Sequence, residues 1–195
     1  VVAGLIAFFS IFYLIPILMA FVGSFHLWNP LKGQYRFTGL QNWRMVFRSS
    51  LFWQSMGNTA LFAAVAVAAR LVIGMALALA LHTRLIRRQS LYRTLYYLPT
   101  ITPMVAVAFV WKFMYDPQFG LINQVLGTKI NWLFDARYAM SAILLLTIWK
   151  DFGYAVVILL GGLYSLPADC YEAAEMDGAS AIQRFAFLTL SLIHI

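Results

Sequence analysis

Charge is the scarcest ingredient of this chain. Of 195 residues only 11% are Asp, Glu, Lys or Arg, against about 25% in an average soluble domain. Hydrophobic residues make up 63%. That balance excludes an ordinary water-soluble globule and leaves an integral membrane protein, read as one domain. Cysteine is nearly missing too. The lone Cys170 excludes an internal disulfide and a cysteine-rich metal site, and is read as a small packing residue. Residues 1–25 carry no charge at all. A secretory signal needs a basic start and a small-residue cleavage site, and neither is present. The run is therefore a spanning helix with Pro16 as a tolerated kink. The chain starts at Val1 rather than Met, so it is expected to begin inside a longer protein.

Other absences narrow the chemistry. No G-x-x-x-x-G-K-[ST] loop occurs, so ATP hydrolysis is not expected here. No H-E-x-x-H, Ser/His pairing or pair of carboxylates falls within the apolar runs, which argues against an intramembrane enzyme. No metal site or cofactor is expected on the chain. The net charge of +7 raises nucleic acid as a partner, but the basic residues do not gather on a soluble face. Several sit at the ends of apolar runs, where cations bias topology and meet anionic headgroups.

A spanning helix needs roughly 20 mainly apolar residues, and four stretches qualify: about 1–25, 56–81, 95–115 and 138–166. Arg70 interrupts the second; Pro99 and Pro103 lie near the start of the third; Lys150 and Asp151 interrupt the fourth. In the first connection Asn29-Pro30 and Lys32-Gly33 are turn signals. Residues 42–52 there suggest an interfacial helix with Trp43, Phe47 and Trp53 at headgroup depth. The second connection is short and basic, with His82, Arg84, Arg87, Arg88 and Arg93. In the third, Asp116-Pro117 with Gly120 marks one turn, and Gly127 with Asn131 another. The basic residues of the first connection (Lys32, Arg36, Arg44, Arg48) are spread more thinly. The 82–93 connection is accordingly placed in the cytoplasm, residues 26–55 and 116–137 outside, and the segment after the fourth span in the cytoplasm.

That last segment reads Tyr171-Glu172-Ala173-Ala174-Glu175-Met176-Asp177-Gly178-Ala179. Residues 170–177 suggest a short helix with Asp169 as N-cap and Glu172 completing a capping box. Its acidic residues suit the helix dipole. Gly178 permits a left-handed turn into a second helix at about 180–187. The small Ala173, Ala174 and Ala179 leave room for a partner to approach. On local composition alone the plainer reading is favoured, a capped connector with a solvated acidic face.

The wider pattern shifts that weighing. The segment has the form E-A-A, three residues, G, with Leu188-Thr189-Leu190 nine residues on. Upstream lie Phe37-Thr38-Gly39-Leu40-Gln41-Asn42, Tyr92-Arg93-Thr94-Leu95-Tyr96-Tyr97-Leu98-Pro99, Tyr115-Asp116-Pro117-Gln118-Phe119-Gly120-Leu121-Ile122-Asn123 and Asn131-Trp132-Leu133. In order and spacing these resemble the sugar-type (MalF-like) permease subunits of binding-protein-dependent ABC importers. The resemblance covers nearly the whole chain.

It implies an all-α, polytopic transmembrane helix bundle of the ABC type I importer permease fold, with four spans of an expected six. It implies as partners a second permease subunit, two ABC ATPase subunits that carry the ATP and Mg2+, an extracytoplasmic solute-binding protein and the lipid bilayer, and no nucleic acid. The location it implies is the bacterial or archaeal cytoplasmic (inner) membrane. Coupling to the ATPase would fall to Glu172, Ala173, Ala174, Asp177 and Gly178 in the cytoplasmic EAA loop. The substrate path would include Thr100 and Met104 on the third span and Thr147, Lys150, Asp151 and Tyr154 on the fourth. Lys150 and Asp151 replace positions that can be apolar or small in the family. This leaves open a non-sugar solute such as glycerol phosphate.

Charges inside a span are expensive and face a bundle interior or a wet cavity. Lys150 and Asp151 are adjacent, so they point about 100° apart and do not pair with each other. An interhelical pair of Arg70 with Asp151 and a polar patch on the solute path are both open. A scaffold or assembly factor would need neither mid-span charge nor the EAA spacing. Residues 1–189 are expected to be a permease domain truncated at both ends. Residues 190–195 have the sequence one frame of a common sequencing-transposon end would encode, and are expected to be an adapter-derived tail in which His194 has no role. A chain lacking two spans is expected to aggregate when isolated.

Overall fold

The computed structural model describes residues 2–82 and 88–193. Arg84 and Arg87 of the basic connection, and residues 194 and 195, lie outside the described residues. Among the described residues three helices are long and apolar enough to cross a membrane, or four if the bent pair Gln89–Ile101 and Met104–Met114 is counted as one span. The chain divides into two compact units, Val1–Ala60 and Leu61–Ile195.

In the first unit, α1 (Val2–Phe9) and α2 (Ile15–Gly23) are joined by a π-helical turn, Ser10–Leu14. Together they form one span, Val2–Gly23. Pro16 has no N–H, and its ring crowds the carbonyl four residues earlier. The wide turn just before it carries the helix through instead of breaking it.

An antiparallel hairpin follows, β1 (His26–Asn29) and β2 (Gln34–Phe37), with His26 opposite Phe37 and Trp28 opposite Tyr35. The sequence showed only turn signals here. Both strands are four residues long and largely exposed, so they carry no alternating apolar pattern. The Phe37–Asn42 motif closes the hairpin's base. The Thr38 N–H donates to the Phe25 carbonyl at 2.8 Å, Gly39 takes φ +58°, and the Asn42 amide donates to the carbonyls of Ser24 (2.9 Å) and His26 (3.1 Å).

Helix α3 (Gln41–Arg48) stops earlier than the expected 42–52, because Ser49 is extended (ψ 119°). The Ser49 hydroxyl accepts the Phe52 N–H at 3.4 Å, the geometry of an N-cap. It therefore starts α4 (Ser50–His82), which continues into the second unit.

The second unit contains the rest of α4, then α5 (Gln89–Ile101), α6 (Met104–Met114), α7 (Leu121–Leu126) and α8 (Ala139–Ser165). The third span, read from sequence as one run at 95–115, is instead α5 and α6 bent by 94°. Thr102 is extended (ψ 134°), the conformation that a following proline enforces, and Pro103 cannot donate across the break.

Helix α8 is the hub of this unit. Ala78 and Leu81 of α4 are fully buried against Val156, Leu160 and Leu163 of α8. Small residues let the backbones approach, as membrane helices require. A methyl on Gly74 would lie 2.7 Å from the Ala155 Cβ, and one on Gly153 would strike the Tyr96 backbone of α5. A second cluster joins Val107, Trp111 and Tyr115 to Ala142, and the Tyr115 hydroxyl donates to the Ala142 carbonyl at 2.7 Å.

The 116–137 connection is ordered around two side chains. Asn123 is buried. Its Nδ2 donates to the carbonyls of Asp116 (3.2 Å) and Ile130 (2.9 Å). Its Oδ1 accepts from the Thr128 hydroxyl, the Ile130 N–H and the Trp132 indole at 3.0–3.2 Å. Asp116 accepts the Phe119 and Gln118 N–H groups, each at 2.8 Å, and these bonds hold its carboxyl below the usual carboxylate range.

Two outcomes are expected. Gly153→Leu should cost about 3 kcal/mol or more by overpacking, seen as a lowered Tm of the detergent-solubilised protein. Gly161→Ala, which meets open space, should leave the Tm unchanged. Because the Asp116 pKa is lowered by folding, its contribution is complete above the ordinary carboxylate pKa and is lost as pH falls through the lower folded value. Hydrogen exchange at the Gln118 and Phe119 amides should therefore persist as protected into mild acid in the native chain, and Asp116→Ala should abolish that protection at every pH.

Candidate functional site

Two polar features stand out against the apolar helices, one between helices and one at a helical turn. The first is a cavity of about 450 Å³ lined by Val67, Arg70, Leu71, Thr100, Asp151, Tyr154 and Ala155. Arg70 Nη1 pairs with Asp151 Oδ2 at 3.0 Å, while its Nε donates to the Ala66 carbonyl at 2.9 Å. The interhelical pair thus forms, and it also borders the cavity. Arg70 spends two donors in this way and keeps the rest of its fork. Asp151 Oδ1 and the Tyr154 hydroxyl take part in no hydrogen bond among the described residues.

Lys150, the other charge on α8, points elsewhere. Its ammonium donates to the Thr100 carbonyl at 3.0 Å, and the Thr100 hydroxyl donates back to the Lys150 carbonyl at 2.9 Å. Thr100 sits in the last turn of α5, whose carbonyls lack helical partners because the chain breaks at Thr102. A cation there is favoured by the helix dipole. Of the six residues assigned to the path from sequence, Thr100, Asp151 and Tyr154 converge on the cavity. Lys150 caps α5 beside it. Thr147 turns its hydroxyl back onto the Ile143 carbonyl of its own helix at 2.8 Å. Met104 lies beyond the bend and is half exposed. Arg70 was outside that set of six, although its place in mid-span had marked it.

The second feature follows α8. Helix α9 (Ala168–Met176) starts directly after Pro167, which itself occupies the N-cap position in an extended conformation. Asp169 therefore falls in the first turn rather than at the N-cap, and no side chain caps α9. The expected capping box is displaced across the turn. Ser180 Oγ accepts the Gln183 N–H at 3.3 Å and Gln183 Oε1 accepts the Ser180 N–H at 2.8 Å. There it starts α10 (Ala181–Gln183), which runs on through a π-helical segment, Arg184–Thr189, into α11 (Leu190–Ile193). The second helix is thus longer than the expected 180–187.

Between the helices Gly178 has φ +78°. The Ala179 N–H bonds the Ala174 carbonyl at 2.9 Å and the Gly178 N–H bonds the Glu175 carbonyl at 3.1 Å. Those two bonds are a complete Schellman closure. The arms are tied by Arg184 to Glu175 at 2.8 Å and by the hydroxyls of Tyr171 and Thr189 at 2.7 Å. Neither tie was foreseen, since partners 9 and 18 residues apart leave no local pattern. Glu172, Ala173 and Asp177 are exposed, and the carboxylates of Glu172 and Asp177 are unpaired among the described residues. Exposed Met176 and Ile182 flank them. Among the described residues no three of His, Cys, Asp and Glu converge on a metal position.

Residues 70–193 match the profile of the family described as binding-protein-dependent transport system inner membrane component. The chain belongs to that family. Among its relatives, the probable ABC transporter permease protein YurN of Bacillus subtilis is 31% identical over 189 residues, covering 93% of this chain and 65% of the relative. The trehalose/maltose transport system permease protein MalF of Thermococcus litoralis is 33% identical, covering 94% of this chain and 63% of the relative. A chain of a bacterial alginate ABC transporter, solved with an alginate pentasaccharide-bound periplasmic protein, superposes with a TM-score of 0.80 at 22% identity, over 99% of this chain and 65% of that one. The chain therefore spans just under two thirds of the length of these relatives. Its helices are those of an integral membrane permease fold.

A double-mutant cycle tests the ion pair. Arg70 and Asp151 are about a quarter to a third exposed, so breaking the pair should cost less than a fully buried one. Asp151→Asn and Arg70→Gln are each expected to cost about 1–2 kcal/mol. The double variant should fall short of their sum by about 1 kcal/mol, measured by unfolding in mixed micelles.

Proposed function

We propose that this chain is a permease subunit of an ATP-driven carbohydrate importer, forming part of the translocation path and taking its conformational drive from a separate ATPase. The observation that carries this reading is the helical turn at Gly178. A Schellman closure and two cross-ties hold its frame, while Glu172 and Asp177 are left unpaired beside small alanines. A frame closed by its own bonds transmits a push, and free carboxylates with little side-chain bulk suit a basic partner at close range. Glu172 pairs with a cation of the ATPase, Ala173 and Ala174 admit its surface, and Gly178 sets the bend. ATP and Mg2+ belong to that partner.

The assembly comprises a second permease, two ATPase subunits and an extracytoplasmic solute-binding protein. It sits in the cytoplasmic membrane of a bacterium or archaeon with the EAA turn inside. Closure of the ATPase pair moves the turn and rotates α8. On the path, Asp151 Oδ1 accepts solute hydroxyls and the free donors of Arg70 and the Tyr154 hydroxyl complete a polyol site, while Thr100, whose hydroxyl proton is held by the Lys150 carbonyl, offers only its lone pairs. The Arg70–Asp151 pair neutralises itself, which fits an uncharged polyhydroxylated solute better than a phosphorylated one. The trehalose/maltose system among the relatives supports the carbohydrate class.

The test is co-expression of the full-length chain with its genomic neighbours. An ATPase subunit should co-purify with the native chain. Glu172→Ala combined with Gly178→Pro should abolish that association, because proline cannot adopt φ +78° and the carboxylate is gone. Retained binding of the ATPase by this variant would overturn the assignment of the turn.

A further inference from the structure

We infer that α3 and the cavity beside it form a binding site for an anionic membrane phospholipid. Leu40, Trp43, Arg44, Phe47 and Arg48 line a shallow cavity of about 390 Å³. Two kinds of side chain alternate along the helix. Trp43 and Phe47 stack with ring centroids 6.1 Å apart, and Trp43 also meets Phe25, at 6.3 Å. That contact and the Trp43 indole bond to the Ser24 hydroxyl at 3.1 Å fix the aromatic side to the end of the first span. Arg44 and Arg48 are one helical turn apart, exposed, and without an ion pair or side-chain hydrogen bond among the described residues. The site is thus an apolar floor with a rim of two unengaged guanidinium groups.

Charge complementarity identifies the occupant. The first acidic residue of the chain is Asp116, so the unit Val1–Ala60 contains no carboxylate that could answer its four cations, Lys32, Arg36, Arg44 and Arg48. Guanidinium forks fit phosphate oxygens in pairs.

Depth favours lipid over a protein surface. Helix α4 has 33 residues, a length of about 50 Å. A bilayer's hydrocarbon is about 30 Å thick, so about 20 Å of α4 extends beyond it, and the polar Ser50, Gln54, Ser55 and Asn58 put its first turns in the headgroup layer. Helix α3 ends at Arg48, with only Ser49 before α4 begins, and lies in that same layer with its Trp and Phe side chains. A phosphate placed against Arg44 and Arg48 leaves its acyl chain to run along Leu40, Trp43 and Phe47.

The test uses the full-length protein extracted from membranes, with phosphatidylglycerol and phosphatidylcholine as probes. Native mass spectrometry with equimolar amounts of the two should show preferential retention of phosphatidylglycerol, weakened by added salt. Arg44→Gln with Arg48→Gln should reduce that retention about 30-fold, while Arg44→Lys with Arg48→Lys should keep most of it. Equal retention of the two lipids by the native chain overturns the site without recourse to any variant. So does unchanged retention by the Gln pair. Loss of binding to the solute-binding protein, with lipid retention unchanged, overturns it in favour of an acidic protein surface.

Discussion

Gly153 is the point on which the second unit turns. With no side chain there, α8 lies directly against the backbone of α5 at Tyr96. Only at that separation can Lys150, three residues earlier, reach the carbonyl of Thr100. The same rotation of α8 aims Asp151 at Arg70 of α4 and presents Val156 and Leu160 to Ala78 and Leu81. A bilayer offers no water to satisfy a broken helix end or an unpaired charge. The bend at Thr102–Pro103 and the mid-span charges are therefore tolerable only because α8 supplies partners for both.

This arrangement sorts the polar residues of α8 by what their neighbours demand. Lys150 answers an orphan carbonyl at the end of α5, and so its charge serves the fold. Asp151, a hundred degrees further round, answers a cation and retains one oxygen toward the cavity. Tyr154 has no internal demand on it. Residues of similar polarity, close in sequence, thus separate into one that caps a neighbouring helix and two that border the cavity, according to direction alone.

The same logic explains how much of the molecule was legible in its sequence. The spans at α4 and α8 were plain, because 33 and 27 residues of apolar helix leave no other reading. The left-handed turn at Gly178 was also legible, since a glycine between two helical patterns has few other uses. The hairpin at 26–37 was not, because four-residue strands exposed on both faces show no alternation. Pro103 was seen, but a proline near the start of a run reads as tolerated until the partner that relieves the break is known. Asp169 and Ser180 both satisfied the capping-box pattern, and Pro167, by taking the N-cap position of α9, excluded the first. Of the six residues assigned to the path, Thr100, Asp151 and Tyr154 lie around one cavity. Thr147 and Met104 do not line it, and the intrahelical hydroxyl bond and 94° bend that set them apart leave no mark on local composition.

The reciprocal bonds between Thr100 and Lys150 have a mechanical consequence. Each residue gives a side-chain donor and a backbone acceptor, so α5 and α8 are pinned at one height by two parallel links that end on main chain. A single pin would let one helix swivel on the other; two prevent it. A twist applied to α8 is therefore passed to the end of α5 without slack, and from there to the elbow at Thr102. Beyond the elbow, α6 is itself held against α8 by Val107 and Trp111 and by the Tyr115 hydroxyl on the Ala142 carbonyl, so both arms of the bent pair follow α8.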